Sequence, residues 1–174
     1  MTGILYYTFV SFLNRTYTLI ATEKGLAYVG PDDKNFSSLS YYFKDYKLIE
    51  ANGMDNNQTH WLKQAKEQLE EYMHGEREVF DLPLDLNHGT SFQQAVWNQL
   101  LKVPYGQTTT YGDIAQQINN PKAVRAVGGA VGKNPISIIV PCHRIIGKNG
   151  SLTGYSGGLD IKTQLLMIEQ IHLP

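Results

Sequence analysis

Along residues 4–13, ILYYTFVSFL, apolar and aromatic side chains alternate with polar ones, and TYTLIAT at 16–22 and GLAYVG at 25–30 continue the pattern. A period of two in β-branched and aromatic residues predicts three strands, with a turn at Glu23–Gly25 between the second and third. A polar stretch then runs from Pro31 to about Asn57, and SLSYYFKDY within it reads as a short helix. From His60 the period lengthens. Trp61, Leu62, Ala65, Leu69, Tyr72 and Met73 recur at helical spacing, and Gly75 ends the run. The segment REVFDLPLDLNHGT is expected to hold one more short strand, and its proline and glycine put a domain boundary near residues 82–90.

Beyond that boundary the pattern is helical and broken into short pieces. SFQQAVWNQLLKV carries Phe92, Val96, Leu100 and Val103 on one stripe. Thr110 reads as the N-cap of the next helix, with Asp113 in its first turn, and INNP closes that helix. Pro121 is placed to open a further helix, KAVRAVGGAVGK. Two short helices joined by a tight turn read either as a helix-turn-helix or as a hairpin that serves packing only. Gly128, Gly129 and Gly132 lie inside the second helix, where each costs up to about 1 kcal/mol. That cost points to a close approach of something to the backbone, either another helix or a nucleic acid strand. Arg125 is the one long side chain among small ones, a surface arginine or a guanidinium projecting into a groove. The expected division is a domain over 1–85 and a second over 88–174.

Composition narrows the classes. A chain of 174 residues with 42% hydrophobic side chains suffices for one domain or two small ones. No stretch approaches the roughly 18 apolar residues that cross a membrane, and the first residues lack the charged start of a signal peptide. The single cysteine excludes an internal disulfide and a cysteine-built zinc site, and a reduced thiol suits the cytoplasm. Net charge is −1, but it is unevenly spread. Residues 1–90 hold 8 Lys and Arg against 13 Asp and Glu, a balance of −5; residues 91–174 hold 7 against 3, a balance of +4. The positive half is either the footprint of a polyanionic partner or a chance segregation of solvated charge.

The candidate chemistry lies in that half. Cys142 stands in IIVPCHRIIG, beside His143 and Arg144. A thiol in such a run is either an inert core residue or a nucleophile, and the second needs a neighbour that lowers its pKa. An imidazole acting on it needs an acid to orient it, and Glu169 in LDIKTQLLMIEQIH is available. Asn134 opens an Asn-Pro turn ahead of the cysteine, and NGSLTGYSGGLD after it is a connector or a backbone-lined pocket wall.

Taken together, RAVGGAVGKNPISIIVPCHRIIGKNGSLTGYSGGLDIKTQLL closely resembles the signature of the O6-alkylguanine-DNA alkyltransferases, the methylated-DNA–protein-cysteine methyltransferases. Asn134-Pro135, Pro141-Cys142-His143-Arg144 and Tyr155-Ser156-Gly157-Gly158-Leu159 stand at that family's spacings. The resemblance is strong over residues 90–170 and mainly architectural over 1–85. It implies an α+β protein of two domains: a small α/β RNase H-like N-terminal domain and a helical, winged-helix-like C-terminal domain carrying a helix-turn-helix. It further implies that Cys142 accepts the alkyl group, that His143 is linked to it through a water and held by Glu169, and that Asn134 organises the turn. Tyr111 matches the residue that rotates the nucleotide, and Arg125 the intercalating finger. Ile145, Tyr155, Ser156 and Gly157 match the guanine pocket. Ala126, Gly128, Gly129, Lys122 and Lys133 fall on the DNA-facing surface. The expected partner is double-stranded DNA carrying O6-alkylguanine or O4-alkylthymine, bound by a monomer with no cofactor, no metal and no membrane.

The physics of such a reaction fits these residues. An alkyl group on guanine O6 is hidden in the duplex, so the nucleotide must leave the stack. A thioether on Cys142 offers water no acyl carbon to attack, so the protein would be spent after one event. Two departures from the family pattern stand out. The chain lacks the cysteines of the zinc site found in animal members, and Ser137 stands where some members have a pocket-lining proline. Relatives with tryptophan in place of the cysteine bind lesions without repair, a reading that Cys142 opposes. A cysteine hydrolase would turn over repeatedly and would not need Arg125. A sequence-specific regulator would need base-reading Asn, Gln or Arg on RAVGGAVG, which carries almost none.

Overall fold

A computed structural model describes residues 3–31, 37–152, 155 and 158–173. The chain divides into two compact units, Met1–His88 and Gly89–Pro174. In the first, β1 (Ile4–Phe12), β2 (Arg15–Thr22), β3 (Gly25–Pro31) and β4 (Lys47–Glu50) form a sheet in the order β3-β2-β1-β4. β1 runs antiparallel to β2 and parallel to β4. The first hairpin is a two-residue turn with Leu13 and Asn14 both at positive φ, 52° and 59°, the geometry that matches strand twist. β4 is an element that the polar stretch around it concealed. It is four residues long and has no fully buried side chain, so alternation gives it no signature.

The helix α1 (Ser37–Phe43) lies in the segment expected to hold one, and its Phe43 ring meets Tyr28 of β3 edge-on, centroids 6.1 Å apart. α2 (Asn57–Met73) packs across β1, β2 and β3 with Leu62, Ala65, Leu69 and Tyr72 buried. It begins three residues before the expected His60. Asn56 and Thr59 cap each other's backbone amides, Thr59 N donating to Asn56 Oδ1 at 2.9 Å and Asn56 N to Thr59 Oγ1 at 2.9 Å.

The strand expected in REVFDLPLDLNHGT shrinks to one bridge, Leu26 with Leu84. Leu26 N donates to Pro83 O at 2.9 Å and Asp85 N returns a bond to Leu26 O at 2.7 Å, but Pro83 has no N–H with which to extend the ladder. Gly25 permits that approach. Its φ is +152°, and a Cβ there would lie 2.4 Å from Pro83 O.

The second unit is built from short helices. α3 (Ser91–Leu100) buries Val96, Trp97 and Leu100, while Phe92 and Val103 are only half-buried. The stripe therefore turns toward Trp97, whose indole Nε1–H donates to Ala130 O at 2.8 Å. β5 (Thr109–Thr110) leads into α4 (Tyr111–Gln117), with Thr110 Oγ1 accepting from Asp113 N at 3.1 Å as its N-cap. α5 (Val124–Gly132) completes a helix-turn-helix with α4. It starts later than Pro121, the residue expected to open it. Asn119 takes a left-handed conformation (φ 61°), and Ala123 N bonds Asn120 O at 2.9 Å, so Pro121 sits inside a closed turn. A 3-10 turn, Cys142–Arg144, runs into β6 (Ile145–Ile146), which pairs in parallel with β5. α6 (Leu159–Ile168) packs on that turn. No described helix is long and apolar enough to cross a membrane.

Candidate active site and nucleic-acid interface

The turn before Cys142 is held from within. Asn134 Oδ1 accepts from Ile136 N at 3.0 Å, and its Nδ2 donates both to Val140 O at 2.9 Å and to Cys142 Sγ at 3.1 Å. One amide thus closes an Asx turn, ties its far end and reaches the thiol. Between those anchors Ile138 adopts φ +75°, a region that a β-branched side chain occupies only under constraint. The residues called out from sequence as Asn134 and Cys142 are therefore joined by one hydrogen bond.

His143 and Glu169 come together as the sequence reading expected. His143 Nε2 lies 2.6 Å from Glu169 Oε2, with both side chains fully enclosed. Glu169 is the C-cap of α6 rather than a residue within it, and Gln170 follows at φ 60°. Its carboxylate takes further donors: Arg144 Nε at 2.8 Å on Oε1, Arg144 Nη2 at 3.2 Å on Oε2, and Gly106 N at 3.0 Å on Oε1. Arg144 Nη1 also donates to Val103 O at 2.7 Å, and its guanidinium lies 5.8 Å over the Tyr105 ring. Burial alone would raise the Glu169 pKa, but the bonds from His143, Arg144 and Gly106 bring it down to about 2. Burial pushes His143 below its ordinary value; Glu169 opposes that and the charges of Arg144 and Lys162 add to it. The imidazole is therefore neutral near pH 7 and donates its Nε2–H to an ionised Glu169, leaving Nδ1 as the basic nitrogen.

Burial likewise raises the Cys142 thiol, offset in part by the Asn134 amide, the Lys162 charge, a backbone amide and the Tyr155 side chain. Tyr155 thus stands at the thiol. Ile145 is fully buried, and its carbonyl accepts from Lys162 Nζ. Ser156 and Gly157, also expected in the pocket, lie outside the described residues. Sequence reasoning missed Lys162, Gly106 and Tyr105, and it noted Arg144 only as the neighbour of the cysteine.

The helix-turn-helix carries the other expected residues. Tyr111 begins α4 directly after β5, and β5 pairs with the strand that leaves the cysteine turn. A two-residue ladder thus couples the helix-turn-helix to the thiol. The Tyr111 ring also lies beside α5, 3.9 Å from where a Cβ on Gly128 would stand. A Cβ on Gly129 or Gly132 would meet nothing within 4 Å beyond the helix's own nearby backbone. The fold does not require those two glycines, and they leave a smooth outer surface on α5. Lys122, Arg125, Ala126 and Lys133 are all exposed on or beside it. Of the seven cations in residues 91–174, Arg144 and Lys162 are buried, and the remaining five face solvent against only Asp113 and Asp160.

Comparison with known proteins agrees with this geometry across both units. Residues 5–86 match the 6-O-methylguanine DNA methyltransferase ribonuclease-like domain, and residues 91–171 match the DNA binding domain of the same enzyme. The inducible methylated-DNA–protein-cysteine methyltransferase of Bacillus subtilis is 44% identical over 170 residues, 95% of this chain and 90% of the relative. A methylated-DNA–protein-cysteine methyltransferase of Methanosarcina acetivorans is 48% identical over 151 residues, 87% of this chain and 89% of the relative. Among solved structures, the Mycobacterium tuberculosis O6-methylguanine methyltransferase superposes with a TM-score of 0.79 at 39% identity, covering 95% of this chain and 93% of that one. The M. tuberculosis OGT in complex with DNA gives 0.76 at 39% identity, covering 96% and 92%. With both halves matched and the thiol, amide, imidazole and carboxylate assembled, the chain belongs to the 6-O-methylguanine DNA methyltransferase family.

Proposed function

We propose that this protein repairs DNA directly, moving the alkyl group from O6 of guanine in a duplex to Cys142 in one irreversible event. The observation that carries the reading is the pairing of Cys142 Sγ with the Asn134 amide, on the same turn as an enclosed His143–Glu169 pair. The thiol proton passes through a water to His143 Nδ1, and Glu169 stabilises the imidazolium that forms. The thiolate attacks the alkyl carbon as the C–O6 bond breaks with its electrons passing to the purine. The purine takes up one proton, balancing the one held on His143, and leaves as guanine. Asn134 positions the sulfur, and Ile145, Tyr155, Ser156 and Gly157 surround the base.

DNA is the partner, and the five exposed cations supply sequence-independent attraction to phosphate. Gly128, Gly129 and Ala126 let α5 approach the minor groove, with Lys122 and Lys133 on phosphates. Tyr111 turns the nucleotide out, and Arg125 fills the place it leaves, offsetting part of an unstacking cost of a few kcal/mol. The two functional domains are 1–85 and 88–174, the protein works as a monomer in the cytoplasm, and O4-alkylthymine is a second substrate. No metal or cofactor takes part. The test is intact mass after mixing with a methylguanine duplex. One methyl group should appear per molecule, on the peptide with Cys142, and the reaction should then stop. Sustained turnover, or a methyl group on another residue, would overturn the reading.

A further inference from the structure

The steps above give no part to Lys162, although it is fully buried, with 0% of its surface exposed. It stands on α6 among Ile161, Leu165 and Leu166, where a leucine or methionine would fill the same space. A buried ammonium is costly unless its surroundings repay the lost hydration. Its Nζ donates to the carbonyl oxygen of Ile145. That carbonyl belongs to the residue that caps the 3-10 turn beginning at Cys142, and Ile145 N closes the turn by donating to Cys142 O. α6 packs against this turn, so the ammonium enters the active site from the side opposite in sequence to Asn134.

We propose that Lys162 is a positioning residue for alkyl transfer, fixing the Ile145 carbonyl on the turn and supplying a positive charge against which the Cys142 thiolate forms. The inference rests on the alkyl-transfer reading only for its purpose; the charge relation between the two side chains is testable without DNA. Burial pushes the Cys142 thiol up and Lys162 down, and each charge opposes the shift of the other. The groups that bear on the thiol's titration are Asn134 and Tyr155 from the flanking loops and Lys162 from α6, while Glu169, Arg144 and Lys162 bear on the adjacent His143. Of the two cations, Arg144 is committed to Glu169 and Val103 O. The stabilisation also ends with the reaction, because a thioether carries no charge.

The experiment follows the rate of Cys142 alkylation by iodoacetamide against pH, in wild type, Lys162→Met and Lys162→Arg. This chain has one cysteine, so the profile has a single source. Lys162→Met should move the midpoint up by about one pH unit, a tenfold loss of thiolate at pH 7, and Lys162→Arg should recover most of it. An unmoved midpoint, or an arginine variant that behaves as the methionine one, would overturn the proposal. A fall in rate that is uniform across pH would do the same, because that is what a purely structural lysine gives. Should Lys162→Met fail to fold, wild-type protein carrying 13C-lysine serves instead. Capping Cys142 with iodoacetamide should then lower the midpoint at which the Lys162 Cε signal titrates, and an unchanged midpoint would overturn the charge relation. If the thiol responds as expected while methylguanine duplex leaves no methyl on Cys142, the repair reading and the purpose given to Lys162 fail, and the charge relation between the two side chains stands.

Discussion

The two units of this protein use their interiors differently. Residues 1–88 bury Thr18, Thr22, Gln58, Gln68 and Asp85 among aromatic and aliphatic side chains, with one ionisable acid in the set. Residues 89–174 bury His143, Arg144, Lys162 and Glu169. Every buried cationic or imidazole side chain among the described residues is therefore in the second unit, gathered on one 3-10 turn and one helix. Buried charge seldom repays its desolvation in stability alone. A unit of 86 residues that accepts four such groups, together with Ile138 at φ +75°, is organised around a reaction. The first unit has the opposite economy: a sheet, a capped helix and apolar burial.

The largest expected effect strikes the centre of that asymmetry. Cys142→Ser should abolish methyl transfer, leaving no methyl mass on the protein, while duplex binding measured by fluorescence anisotropy persists. Transfer retained in the serine variant would move the acceptor elsewhere and dissolve the contrast between the units. Next comes Glu169→Gln. A neutral amide cannot stabilise the imidazolium on His143, so transfer should slow by about a hundredfold or more. It also leaves the Arg144 guanidinium without its countercharge, costing about 3 kcal/mol, visible as a lower thermal midpoint. Rate and duplex affinity falling together would mark Glu169 as a support for the fold.

Much of this contrast was legible in the sequence, for reasons that differ by element. β1 announced itself through a mixed pattern of buried and open positions. β2 and β3, buried along nearly their whole length, did so through β-branched and aromatic residues between turn signals, and α2 because Leu62, Ala65, Leu69 and Tyr72 share one buried side. β4 was hidden: KLIE carries too little burial to impose a pattern. Cys142, His143, Glu169 and Asn134 were found through chemistry and family spacing, and the structure bonds Asn134 to Cys142 and His143 to Glu169. Lys162 was missed although a signal existed. Ile161, Lys162, Leu165 and Leu166 lie one helical turn apart in pairs, so a charge stands on the apolar side of α6. Gly106 and Tyr105 left no such mark. Their part is played by a backbone amide and a ring placed by the loop, which no residue pattern encodes.

Acid should separate the units, and each contains one tryptophan to report it, Trp61 and Trp97. The folded pKa of His143 lies below its ordinary 6.5, so as pH falls past 6.5 the unfolded chain takes up a proton that the folded one refuses. Stability of the second unit should fall by about 1.4 kcal/mol per pH unit from there. Glu169 adds a further loss between its ordinary 4.5 and about 2, since its depressed pKa stabilises only while it remains ionised. In the first unit, burial would raise Asp85, but Thr22, Asn87 and His88 hold it below its ordinary 3.8, so its loss begins only under that value. Denaturant titrations at pH 7 and 5 should weaken the Trp97 transition more than the Trp61 one, read in Trp61→Phe and Trp97→Phe variants. Equal weakening would mean that the buried relay does not set acid sensitivity.

A smaller effect should fall on the outer surface of α5 alone. Arg125→Ala should slow repair of a methylguanine duplex about tenfold, because part of the few kcal/mol of unstacking goes unmet. Reaction of Cys142 with the free alkylated base should be unchanged, since nothing has to be rotated out of a stack. Arg125→Lys restores phosphate attraction but not planar stacking. Full recovery with lysine would make Arg125 a phosphate contact, and loss of the free-base reaction would make it a support for the fold.

The smallest effect on transfer is expected from a buried polar bond of the first unit. Thr22 Oγ1 donates to Asp85 Oδ2 at 2.7 Å, across 63 residues of sequence, tying the end of β2 to the segment that bridges β3. Thr22→Val keeps the shape and removes the donor, while Asp85 Oδ1 retains Asn87 N at 3.1 Å and Asn87 Nδ2 at 2.9 Å. The cost should be about 1–2 kcal/mol, read as a lower denaturant midpoint for Trp61. Without the hydroxyl the Asp85 pKa should rise toward its ordinary 3.8, so less of the first unit's stability should be lost to acid below that value. Alkyl transfer from the free base should not change, because every group on the thiol's relay belongs to residues 89–174. A slower free-base reaction in Thr22→Val would show that the first unit's interior bears on the chemistry, and the division of labour between apolar burial and buried charge would have to be redrawn.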